Sequence, residues 1–383
     1  MGVKTMKRYF FLFFTFFIVI IVTTSCSFSS RDSSDVTFDF SLNEDQTSYT
    51  IRGSNIAHKT QNDNWNMVDV ILPSEHNGLP VTQIGYGAFR NSQILRSIII
   101  PESITTIASN AFFDCNNITS IDIPDSVEYI LGEPFRSCNS LEAINVDANN
   151  PNYNSVDGIL YTKDMCGLLF YPPGKECSEF IIPEGVSDIY KFAFSHCINL
   201  ESIVIASTVS RIPYDAIMFC DNLKGVKVSE YNRTYDSIDG NLYSKDKSAL
   251  LRLYYAGEDN SFDIPNGVVT IADYAMYLCE RLTTISIPNT VSSIGKFAFC
   301  QAGIKSVILP SSITYIGQKA FFGCNKLKTA NFEGTSSWRV IPTEGKFVSE
   351  TIIDSQQLKS SFTNANYLAQ TYSSCQWFLK EDN

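Results

Sequence analysis

Histidine is nearly absent from this chain: 383 residues hold only His58, His76 and His196, each isolated in the sequence. No Cys-x-x-Cys pair accompanies them, and the cysteines lie a repeat apart rather than at zinc spacing, so no metal cage is expected. A G-x-S-x-G elbow, a glycine-rich phosphate loop and an H-E-x-x-H helix are missing too, which removes the common hydrolase, nucleotide and zinc-protease signatures. No catalytic residue and no cofactor is therefore expected, and the chain is not read as an enzyme. Positive charge is also short. With 29 Lys and Arg against 40 Asp and Glu, the formal charge is −11, which argues against nucleic acid and against simple electrostatic adhesion to anionic lipid.

Long apolar runs are confined to one place, Tyr9 to Val22, preceded by Lys4, Lys7 and Arg8 and followed by Thr23-Thr24-Ser25-Cys26. The run is short for a membrane span and has the layout of a secretory signal. A small residue directly before a cysteine resembles a bacterial lipobox, with Cys26 as the lipidated first residue of the mature protein, although Thr23 stands where an aliphatic residue is usual. Residues 1–26 are thus read as a lipoprotein-type signal peptide, and the Ser- and Asp-rich residues 27–35 as a tether.

What fills the rest is repetition. The pattern P-x-S-[IV]-x-x-I-x-x-x-A-F-x-x-C-x-x-[LI]-x-S-I-x-I-P runs from Pro101 to Pro124 and recurs, with its cysteine at Cys115, Cys138, Cys197, Cys220, Cys279 and Cys324. The basic spacing is 23 residues, within the range of leucine-rich repeats. It widens to 59 between Cys138 and Cys197 and again between Cys220 and Cys279. The added segments are related to each other: N-x-x-Y-N-S-V-D-G-I-L-Y-T-K-D from Asn150 to Asp164 matches N-R-T-Y-D-S-I-D-G-N-L-Y-S-K-D from Asn232 to Asp246, 82 residues on. Short apolar runs between Asp-Gly and Pro-Gly punctuation make each a β-hairpin.

Within a coil, Ile98-x-Ile100 and Ile121-x-Ile123 alternate with period two, sending two side chains inward and leaving Ile99 and Asp122 outside. Pro101 and Pro124 end that strand. Ser-Ile-x-x-Ile gives a second inward stretch, and Ala111-Phe112 with Cys115 and Ile118 at spacing three suits a tight helical or 3₁₀ turn. The expected fold is an α/β solenoid of leucine-rich-repeat type, with coils of about 23 residues, two β-hairpin insertions and terminal caps. Its parts are a β cap over 36–72, a solenoid over 73–332 with inserts near 147–180 and 229–262, and a C-terminal cap over 333–383. In that last part Ala365, Leu368, Ala369 and Tyr372 predict a short amphipathic helix ending near Trp377.

Six cysteines share one repeat position beside Ala-Phe, so they are read as small buried hydrophobes and free thiols. A Cys166–Cys177 disulfide is left open: both residues are missing from the second insert, yet a strand between them would hold them beyond bridging distance. His196-Cys197 lies in ordinary repeat register and is not read as a base and nucleophile. Asp157-Gly158 and Asp239-Gly240 lack calcium-loop ligand spacing and are read as turns. The positions the pattern leaves free are the outward residues of successive strands: Ile99, Asp122, Asn145, Ile181, Val204, Lys227, Asp263, Ser286, Ile308 and Asn331. Two residues earlier the row is small (Ser97, Ser120, Ala143, Ser202, Gly225, Thr284, Ser306, Thr329), which predicts a shallow open track. Four exposed aliphatics on this face make it the candidate partner-binding surface.

From about Val68 to Phe332, the A-F-x-x-C and S-I-x-I-P register and the D-G-x-L-Y-x-K-D inserts resemble BspA-like surface leucine-rich-repeat proteins. Ala206 in place of Pro, Ile217 and Met276 in place of Phe, and a coil shortened near Cys300 depart from the pattern. The resemblance implies a surface protein of a host-associated microbe that binds host matrix or other microbial surface proteins. The expectation is a monomeric, exported, lipid-anchored binding protein using its concave sheet or its hairpins, with an envelope spacer as the alternative. Acyl labelling in a lipoprotein-processing bacterium is expected to mark the wild type and to vanish in Cys26→Ala. Persistent labelling of that variant would remove the lipobox assignment.

Overall fold

A computed structural model describes residues 36–59, 67–254, 257–343 and 349–380. The expected signal peptide, Cys26 and the expected tether lie outside the described residues.

Each coil has three sides, and each side carries backbone hydrogen bonds to neighbouring coils. The long strand pairs in parallel at the repeat offset, so that Ser120–Ile123 meets Ala143–Val146 with Ile121 opposite Ile144 and Asp122 opposite Asn145. The Ser-Ile-x-x-Ile stretch ends in a two-residue strand, and Thr106–Ile107 pairs with Tyr129–Ile130 in the same sense. On the third side stands the A-F-x-x-C segment, where a helical turn is expected and none forms. Alternate amides there leave the coil, with Phe112 N–H donating to Pro134 O at 2.9 Å and Asp114 N–H to Arg136 O at 2.9 Å, while Phe113 and Cys115 N–H close local turns. Asn110 and Asp114 sit at φ of 56° and 58°, and left-handed residues at that interval stop a right-handed helix from propagating. The α/β class is corrected accordingly: the solenoid is built of strands and turns. The described helices are the 3₁₀ turn Gln357–Lys359, the α-helix Ser361–Asn366 and the π turn Tyr367–Thr371.

The repeated residues follow from this stacking. Phe89, Phe112 and Phe135 are fully buried, with consecutive rings stacked 5.4 and 5.8 Å apart. Each contributes on the order of 1.5–3 kcal/mol by leaving water. A hydroxyl two residues after the proline reaches the preceding coil in several repeats, as Ser126 Oγ does to Ile104 O and Thr290 Oγ1 to Val268 O, both at 2.8 Å.

The two inserts are part of the core rather than appendages. Tyr153–Val156 and Ile159–Thr162 pair antiparallel, Ile159–Thr162 pairs antiparallel with Gly167–Phe170, and that last strand rejoins the short-strand sheet in parallel with Asp188–Ile189. The second insert repeats the arrangement with Tyr235–Ile238, Asn241–Ser244 and Ala249–Arg252. Ile159, Leu160 and Tyr161 are all buried, so this middle strand has apolar neighbours on both faces. Leu160 and Phe170 join the N-terminal core, whereas Ile159, Tyr161, Leu168 and Tyr171 join the central one. Leu242 and Tyr243 divide the same way between the central and C-terminal cores. The phenylalanine stack therefore enters the first insert at Phe170, 5.9 Å from Phe135, and leaves at Tyr171, 5.5 Å from Phe194.

A buried asparagine starts each insert. Asn232 is 1% exposed; its Nδ2 donates to Ala206 O and Val209 O, each at 2.8 Å, and its Oδ1 accepts from Thr234 and Tyr235 N–H. Asn150 makes the equivalent set to Pro124 O, Val127 O and the amides of Asn152 and Tyr153.

At the N-terminal end Phe38–Leu42 pairs antiparallel with Tyr49–Ser54, which stacks in parallel on Leu79–Ile84. Val68–Ile71, assigned above to the cap, pairs in parallel with Leu95–Ile99 and is a solenoid strand. At the other end Asn364 Nδ2 donates to Ala330 O and Leu358 O, seating the short helix on the last long strand. The helix does not extend toward Trp377. That residue lies in Cys375–Leu379, an antiparallel strand that pairs with Tyr315–Ile316 and Trp338–Pro342, because the last short strand leaves backbone groups that only another strand satisfies. Asn232→Ala strips partners from four backbone groups, three of them in buried hydrogen bonds, so it is expected to cost about 3 kcal/mol; a lowered urea midpoint checks this, and an unchanged one would contradict it.

Candidate functional site

All ten outward positions stand on or beside long strands, and the exposures follow the period-two expectation. Ile99, Ile181 and Ile308 are 59, 63 and 53% exposed, against 7, 1 and 1% for the inward Ile100, Ile182 and Leu309. One member escaped the sequence reading. Ile71 is 63% exposed and sits directly opposite Ile99; the Val70-x-Leu72 alternation marks it, but the strand was grouped with the cap.

The structure does not assemble the ten into one open track. Between Asn145 and Ile181, and again between Lys227 and Asp263, an insert turn stands against the sheet, with Ile144 N–H donating to Gly158 O and Val226 N–H to Gly240 O, both at 2.8 Å. Asp157 and Gly158 have φ of 51° and 76°, Asp239 and Gly240 of 48° and 79°, the pair of left-handed residues that a tight hairpin turn requires. This also explains part of the small row. A Cβ on Gly158 would come 2.7 Å from Ala143 Cβ, and one on Gly225 would come 2.4 Å from Gly240 Cα. Ala143 and Gly225 are small because a turn rests on them, so the expected shallow track is filled at both places. The face is divided into three sectors.

Polar groups on this face are largely matched to one another. Lys227 Nζ lies 2.7 Å from Glu179 Oε2, and Lys224 Nζ 2.8 Å from Glu201 Oε2. Arg96 pairs with Asp69, whose carboxyl is held down at about 2 by that guanidinium and by Ser97. Asn145 Nδ2 donates to Asp122 Oδ1 at 2.8 Å. Such exposed pairs add little stability; their consequence is a face with little unmatched charge.

The repeat cysteines are free thiols, as are Cys166 and Cys177. Their role is more specific than filling space: Cys115 Sγ donates to Phe89 O and Cys138 Sγ to Phe112 O, each at 3.0 Å, and Cys324 Sγ to Phe299 O at 2.9 Å. Burial pushes the Cys138 and Cys324 thiols up to about 12, leaving no thiolate for nucleophilic chemistry near neutral pH. In the first coil Ser92 replaces cysteine, and its buried Oγ has no partner. His196 Nδ1 lies 2.8 Å from Ser195 Oγ, and its ring sits 4.8 Å from that of Phe219; burial and then Arg136 lower its pKa. His76 stacks on Phe40 at 3.9 Å. Among the described residues no three His, Cys, Asp or Glu side chains converge on a metal-sized position.

An unpredicted cluster closes the turn side across the first insert. The Arg136 guanidinium lies 5.7, 5.6 and 5.7 Å from the ring centres of Phe113, Phe192 and Phe219. Phe113, Phe192 and Phe219 occupy positions the repeat leaves variable, so periodicity alone did not single them out.

In native protein a thiol reagent is expected to modify exposed Cys166 rapidly and the buried Cys115, Cys138, Cys197 and Cys324 only on unfolding. Rapid modification of Cys138 or Cys324 would contradict their burial.

No curated protein matches the chain. Among solved structures, the chain is similar to the pneumococcal vaccine antigen PcpA, at 19% identity over 79% of this chain and 80% of that one, with a TM-score of 0.42. It is also similar to a leucine-rich repeat protein of Eubacterium ventriosum, at 20% identity over 82% and 95% of the two chains and TM-score 0.42. A leucine rich cell surface protein of Faecalibacterium prausnitzii matches at 22% identity over 78% and 93%, with TM-score 0.39. The family described as BspA type Leucine rich repeat region matches in six copies over residues 55–156, 170–249 and 252–376, most of the solenoid apart from the middle of the first insert, and the chain belongs to that family.

Proposed function

We propose that this is an exported surface protein, held at the cell envelope by a lipid on Cys26, that binds a protein partner through its long-strand face and performs no catalysis. The partner class that fits the family is a host matrix protein or a surface protein of another microbe, engaged by a monomeric solenoid. The observation that carries the reading is the contrast between a uniform interior and a varied exterior. Along the long-strand face the inward residues are interchangeable aliphatics, while the outward ones include Ile71, Ile99, Ile181 and Ile308, each more than half exposed. Folding gains nothing from leaving these side chains in water, and exposed apolar groups among polar ones are characteristic of binding surfaces. Extended surfaces of this type are what stacked repeats offer a partner.

The second reading is a spacer that holds other envelope components at a distance and has no dedicated ligand. Membership in the repeat family and an elongated stack are compatible with it, whereas the exposed aliphatics give it no support. Binding of the purified protein to a panel of host-matrix and microbial surface proteins separates the two. A combined Ile181→Asp, Val204→Asp and Ile308→Asp variant is expected to lose binding by tenfold or more, about 1.4 kcal/mol, with unchanged circular dichroism. Retained binding would move the interaction to the inserts, and no binding at all by the wild type would favour the spacer.

A further inference from the structure

Away from the long-strand face, we propose that the turn side beside the second insert binds a small organic monocarboxylate with an apolar body, its carboxylate held by Arg252.

The two inserts differ at this place. In the first, Phe170 lies opposite Leu160 and continues the phenylalanine stack. In the second, the residue opposite Leu242 is Arg252, 82 positions on, and it is as buried as the ring it replaces, 6% exposed in each case. A further exchange accompanies it. Tyr254 stands at the position of Pro172, and its N–H donates to Oδ1 of Asn241, a buried residue at the position of Ile159. Gly174 spans the coils that flank the first insert, donating to Leu141 O at 2.8 Å and accepting from Asn199 Nδ2 at 3.3 Å. The counterparts of those two partners, Leu223 and Arg281, line an open cavity of about 930 Å³, within the size range of small-molecule sites.

Arg252 shares the wall of that cavity with Ile217, Met218, Leu253, Tyr254 and Tyr277. Its Nη1 donates to Tyr274 O at 2.7 Å and its Nε has no partner. Among the described residues no carboxylate forms an ion pair with it; Asp215 senses its charge from beyond ion-pair distance. The backbone does not call for this arginine, because Tyr274 O already accepts from Tyr277 N–H, the bond that serves its counterpart Phe192 O from Ser195. A buried guanidinium costs stability unless its donors are met, and at a cavity wall an ionised carboxylate meets them. The other charged lining residues, Asp221, Lys224, Glu258, Glu280 and Arg281, are exposed. Three acids against two bases at the mouth disfavour a multiply charged anion such as phosphate, and the apolar wall suits an aliphatic or aromatic body.

The test titrates the full-length protein with 3-phenylpropionate and with its uncharged amide in a calorimeter. Saturable binding of the acid is expected, at least tenfold weaker for the amide and for Arg252→Phe. That variant restores the ring of the first insert, so its urea midpoint is expected to equal or exceed the wild type's. Cys220 and Cys279, partly exposed thiols on the same wall, are expected to react more slowly with a thiol reagent once the acid is bound. No saturable binding, equal binding of acid and amide, unprotected thiols, or full binding by Arg252→Phe would each overturn the site. Should Arg252→Phe fail to fold, the acid and amide comparison and the thiol protection on the wild type still decide.

Discussion

An isolated coil of this chain has no inside. A loop of about 23 residues encloses a few apolar side chains in one plane, and only another coil above and below removes them from water. Every other feature depends on this constraint. Because backbone groups of each coil bond to its neighbours, the offset between regular coils is held close to 23 residues, with Ile121 opposite Ile144 and Ser293 opposite Tyr315. The first and last coils are left with open faces, which explains why the chain spends its ends on an antiparallel strand pair before the first coil, and on a helix, Trp338 and Trp377 after the last.

The inserts show how the constraint is met where the offset breaks. An insertion that looped outward would leave two coils facing each other out of register. Here the added residues form a strand buried on both faces, with Leu160 and Phe170 directed to one core and Ile159, Tyr161 and Tyr171 to the other. The buried Asn150 and Asn232 terminate the preceding coil by taking over backbone partners that the missing turn would have supplied. The same inserts set the shape of the candidate binding face, since their Asp-Gly turns stand between its strands. Structural repair and functional partition are therefore one event in the chain.

Much of this was legible because the repeat is strict. Period-two alternation ended by proline identified the long strands and, residue by residue, their outward row; the spacing jumps located both inserts. What stayed hidden has physical causes. Spacing three among Ala111, Phe112, Cys115 and Ile118 fits a 3₁₀ turn and a chain of β-like turns equally well, and only the left-handed Asn110 and Asp114 decide between them. The small residues Ala143 and Gly225 looked like an open track because the residues that press on them lie elsewhere in the sequence. The cysteine was recognised as buried, but its bond to a carbonyl 26 residues earlier depends on coil geometry. Trp377 was placed near a helix end because nothing local reveals that a short strand, over fifty residues earlier, needs a partner.

The central claim is that the inserts are continuous with the core and carry the stack from one end to the other. Native-state hydrogen exchange read by mass spectrometry tests it most directly. If the account holds, peptides spanning Ile159–Thr162, Gly167–Phe170 and Asn241–Ser244 are protected as strongly as the coil strand Ser120–Ile123. Exchange of those insert strands at the rate of surface loops, with the flanking coils still protected, would contradict it.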